Sequence, residues 1–63
     1  MSALQKAIAI NEQTRQAIAA DNYEKGQDLI RELEYLREIA DSLDEADVIA
    51  EFIEDRWQQT EAA

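Results

Sequence analysis

No proline interrupts this chain, and its single glycine is Gly26. Inside a helix, proline costs about 3 kcal/mol and glycine about 1 kcal/mol against alanine. Helix breakers are therefore almost missing along the whole length. Apolar residues recur at intervals of three and four, and the strict alternation of a half-buried strand is absent. These features predict an all-α protein, a small helical bundle with a helical fraction above about 75% and no sheet.

Size narrows the architecture. The 63 residues suffice for one domain, taken as residues 1–63. A chain this short buries only about 60% of its unfolded surface, so a core built from one copy is thin. Domains of this size often use disulfides or bound metal. Cysteine and histidine are both absent here, which leaves helix packing or self-association as the routes to stability. Two architectures fit: a bundle of three helices, or a helical hairpin that dimerises into a four-helix bundle. A homodimer is the expected state, because the core of one copy is thin and Phe52 with Val48 leaves apolar surface beyond one stripe.

Three helical segments follow from the spacing, at about residues 2–20, 23–40 and 43–60. In the first, Leu4, Ala7, Ile8, Ile10, Ala17 and Ile18 share one half of the helix. Asn11, Thr14 and Arg15 interrupt that half and are expected to be partly exposed at the end of a small bundle. Alternatively, Asn11 sits in a helix seam and fixes register. In the second, Gly26, Leu29, Leu33, Leu36 and Ala40 form a seam, with Ile30 and Ile39 widening it and Tyr23 closing one end. Gly26 there implies close approach of another helix, or a frayed first turn. Asp28/Arg31, Glu34/Arg37 and Arg37/Asp41 have ion-pair spacing on a solvated face.

The junction Ala19-Ala20-Asp21-Asn22-Tyr23-Glu24-Lys25-Gly26 resembles the helix–turn–helix junction of tetratricopeptide repeats. Similar junctions occur in short bacterial export chaperones. The likeness covers about 15 residues, without a second copy or most of the repeat pattern, and implies a helical hairpin. Within it, Asp21 and Asn22 tolerate the left-handed conformation and cap the helix that follows. Further on, Ser42-Leu43-Asp44-Glu45 matches a capping box, which places a break at Asp41-Ser42. The alternative is one helix from 23 to 60.

Charge then points to function. Between Arg37 and Arg56 lie eight acids and no base: Glu38, Asp41, Asp44, Glu45, Asp47, Glu51, Glu54 and Asp55. Leu43, Ala46, Ile49, Ala50, Ile53 and Trp57 thread through this run at helical spacing, so it is a folded helix and not a disordered acidic tail. The whole chain carries a net charge of −9. Direct binding to nucleic acid or to an anionic membrane is disfavoured, because both need a basic patch. A basic protein surface would be attracted. Leu29, Leu33, Leu36, Ile49, Ile53 and Trp57 are the expected core.

Chemistry has little to work with. Catalysis needs a nucleophile with a base, paired carboxylates in a cleft, or a metal. Histidine and cysteine are missing, no glycine-rich phosphate loop is present, and the acids lack the calcium-loop spacing. No catalytic residue, cofactor or metal site is expected. No apolar stretch approaches a membrane span, and the charged start of a signal peptide is not seen. Together with the lack of cysteine this fits a cytoplasmic location.

The sequence thus predicts a non-enzymatic interaction module: an adaptor, chaperone or regulatory inhibitor. Its contacts are expected on the acidic face, Asp44, Asp47, Glu51, Glu54 and Asp55. Val48, Phe52 and Trp57 are the candidate apolar anchors. The alternatives are mimicry of nucleic acid toward a DNA- or RNA-binding protein, and a bundle whose partner is itself.

Overall fold

The first helix starts at a reciprocal cap. The Ser2 hydroxyl accepts from the Gln5 amide, and the Gln5 side-chain oxygen accepts from the Ser2 amide, each at 3.1 Å. Two amides that a helix start leaves unpaired are thereby satisfied. The computed structural model of the protein describes residues 2–62. It contains α1 (Ala3–Ala19), α2 (Tyr23–Glu38) and α3 (Leu43–Ala62), with no strand among the described residues. At 87% helix, the fold is the small all-α bundle that the composition implies.

Two short links reverse the chain. After α1, the Asn22 amide donates to Ala17 O at 2.8 Å and the Asp21 amide to Ile18 O at 3.0 Å. This is a Schellman ending, which needs a left-handed residue at its turn. Asp21 takes that role with φ of 61°. Asn22 then caps α2, its side chain accepting from the Lys25 amide at 3.4 Å. After α2, the Ser42 hydroxyl accepts from the Glu45 amide at 3.2 Å and opens α3. The chain therefore breaks at 39–42, and one helix from 23 to 60 does not form. α2 ends two residues earlier than the spacing suggested, and α3 runs on to Ala62.

All three helices share one core. Ala3 and Ala7 come from α1, Ile30, Leu33 and Leu36 from α2, and Ile49 and Ile53 from α3. Leu4, Ile10, Ala40 and Phe52 pack against them half-buried. Small alanines on α1 face larger aliphatics on α2 and α3, which lets the helices approach while the interior stays filled. A Cβ built on Gly26 would come 2.9 Å from Cγ1 of Ile18, so α1 and α2 do meet closely there.

Several expected positions differ. Trp57 is 36% exposed and Leu29 half-buried, while Ile30 is fully buried in the place given to Leu29. Leu43 stands 84% exposed and Ile8 and Ile39 are also exposed. The reason is phase. α3 is held by Ile49 and Ile53, so its inward line runs between α1 and α2, one residue off the Leu43–Ala50–Trp57 stripe. Thr14, expected to be partly exposed, is fully buried, and its hydroxyl donates to Ile10 O at 2.7 Å. That internal bond lets a polar side chain sit in the core without an unpaired group. Of the expected ion pairs, Asp28/Arg31 forms at 3.5 Å. The other among the described residues is Arg15/Glu12.

Candidate functional site

The burial of Ile49 and Ile53 decides which side of α3 meets solvent. Residues two or five positions away from them point outward on a helix. Asp44, Asp47, Glu51, Glu54 and Asp55 accordingly lie on the outer side, and all five are exposed. Asp44 and Glu45 occupy the first turn, where the helix dipole favours negative charge. The capping box is half-made: the Glu45 Oε2 is buried with no protein hydrogen-bond partner.

This outer face is not neutralised by any ion pair among the described residues. The two ion pairs among the described residues belong to α1 and α2. Within the face, Glu54 accepts one side-chain hydrogen bond, from Gln58 at 3.5 Å. The base carried by α3, Arg56, lies three residues beyond Ile53 and so turns inward; it is half-buried, with Nε lacking a protein partner. Its charge is felt by α1 instead. Hydrogen bonding from Arg15 holds the Glu12 carboxyl below the usual carboxylate range, and Arg56 adds a smaller attraction in the same direction. Asn11 Oδ1 and Gln59 Oε1 are likewise buried without a protein partner.

The candidate apolar anchors separate. Phe52 packs against the core and is half-buried. Val48 is 38% exposed and Trp57 36%. Helical phase puts these two on opposite flanks of the acidic strip, so the carboxylates run between two partly exposed apolar side chains. Four exposed large apolar residues lie outside this set: Ile8 at 53%, Tyr35 at 61%, Ile39 at 47% and Leu43. Tyr35 was legible as an outward residue, since it sits two positions from Leu33. Ile39 and Leu43 were not, because their spacing continues the apolar seams of α2 and α3.

Among the described residues no pocket forms and no acidic group is arranged to hold a metal ion. No helix of the structure is long and apolar enough to cross a membrane. No known protein family, curated protein or solved structure matches this chain.

Proposed function

We propose that this protein is a non-enzymatic interaction module whose outer α3 face engages a basic surface of a partner protein. One observation carries the reading. Asp44, Asp47, Glu51, Glu54 and Asp55 all face solvent on one side of one helix, and no ion pair reaches them from the described residues. Such an array attracts and orients a basic partner at long range, and like-charged partners are rejected. Val48 and Trp57 on its flanks supply apolar contact once the surfaces meet.

Nucleic-acid mimicry is a second reading with its own support. From Asp44 to Asp55 five exposed carboxylates span about 16 Å of helix axis. That is roughly one charge per 4 Å, near the spacing of about 3.4 Å along a DNA strand. A partner that normally binds DNA or RNA would then compete with its nucleic acid for this face.

Capture from the native cell tests the proposal when two baits are compared. The native chain should retain a basic protein that the variant Asp47→Lys/Glu51→Lys/Glu54→Lys loses. Equal capture by both baits would contradict it. If the retained partner is displaced by nucleic acid, mimicry is favoured over an adaptor.

A further inference from the structure

A second surface lies at the corner where α2 passes into α3. Tyr35 and Ile39 are one turn apart on the side of α2 away from the core, and the Ile39 amide still donates to Tyr35 O at 3.2 Å. Their Cβ atoms are therefore about 5–6 Å apart. Leu43 follows after the link, within about 14 Å of chain from Ile39. A tyrosine, an isoleucine and a leucine thus stand exposed at one corner of a molecule small enough to need its apolar residues inside.

The surroundings say what covers them. Glu38, Asp41 and Asp44 border the corner and are exposed. Arg37 is two positions from both Tyr35 and Ile39, so it turns to the other side of α2. Arg31, one turn before Tyr35, is paired with Asp28 at 3.5 Å. The rim of the corner is therefore acidic. A second copy would bring the same carboxylates face to face, with a net charge of −9 on each chain. Like charges meeting across a contact oppose it.

We infer that Tyr35, Ile39 and Leu43 form an apolar docking corner for a cationic amphipathic segment of another protein. Its aliphatic or aromatic side chains cover the three residues, and its lysines or arginines meet Glu38, Asp41 and Asp44. An apolar centre inside a charged rim is the arrangement in which a few residues hold most of a contact. The inference deepens the interaction reading of the α3 face, and adds an exposed apolar centre.

Two labelled peptides test it: an amphipathic helix of leucine and lysine, and a lysine–glycine peptide of equal charge. Binding of each is followed by fluorescence anisotropy at low and high salt. The variant Ile39→Gln/Leu43→Gln should weaken the leucine–lysine peptide about tenfold and leave the lysine–glycine peptide unchanged. Asp47→Lys/Glu51→Lys/Glu54→Lys should weaken both peptides. Unchanged binding of the leucine–lysine peptide by the corner variant would overturn the docking corner, whatever the charge variant does. If instead the corner variant weakens it and the charge variant changes neither peptide, the corner stands and the α3 reading falls. Leu43→Ala alone touches one exposed side chain and serves where the double variant loses helicity. A native dimer in sedimentation that the corner variant dissolves would also overturn the inference, because a second copy would then be the occupant.

Discussion

Asp21 shows how much one dihedral angle can settle. With φ of 61° it occupies the left-handed region that reverses the chain between α1 and α2. Its side chain also accepts from the Tyr23 hydroxyl at 3.2 Å. Aspartate tolerates this conformation, whereas a β-branched residue does not. Asp21→Val should therefore lower stability by about 1–2 kcal/mol. Asp21→Gly should lose much less. Urea denaturation of the two variants measures the difference, and equal stability would show that the turn is not what demands this residue. The turn itself was legible from Asp21-Asn22. The Ser2/Gln5 box was equally readable, as a serine three residues before a glutamine.

At the scale of elements, spacing identified the helices well and their rotation poorly. A period of three and four marks an apolar side, but it does not say where on that side the contact is centred. α2 has neighbours on two sides, and this brings Ile30 to full burial beside Leu33. α3 turns on Ile49 and Ile53, leaving Leu43 and Trp57 at the margin. Truncating Leu33 to alanine should cost about 2–5 kcal/mol, a large share of the stability of so small a domain. Thermal melting followed by circular dichroism checks this, and an unchanged midpoint would mean that the core is misassigned. Gly26 gives a sharper test of how α1 meets α2. Alanine there gains about 1 kcal/mol of helix propensity. The added Cβ, 2.9 Å from the buried Ile18 Cγ1, should cost about 1–3 kcal/mol in strain. A net loss is expected from Gly26→Ala, and a clear gain would show that the helices are not in close contact at that point.

Across the whole molecule, charge and core are divided between opposite sides of α3. The acidic side was legible because no base interrupts residues 38–55. That Arg56 turns inward, and so leaves this side uncompensated, follows from helix phase and needed the packing to be seen. The expectation of a dimer drew on a thin core and on apolar surface at Phe52 and Val48. Phe52 packs against the core of a single chain, which removes part of that motive. Sedimentation at micromolar concentration decides the remainder, a single 7.2 kDa species being the result that removes the dimer. The central claim, that the outer face of α3 drives association, is tested most directly by an association rate. The native chain and Asp47→Lys/Glu51→Lys/Glu54→Lys are compared against the captured basic partner at low salt. Helicity should stay nearly intact, because surface changes away from caps are small. The association rate should fall by at least about tenfold, since like charges then meet. An unchanged rate in a folded triple variant would contradict the account and assign the acids to solubility alone.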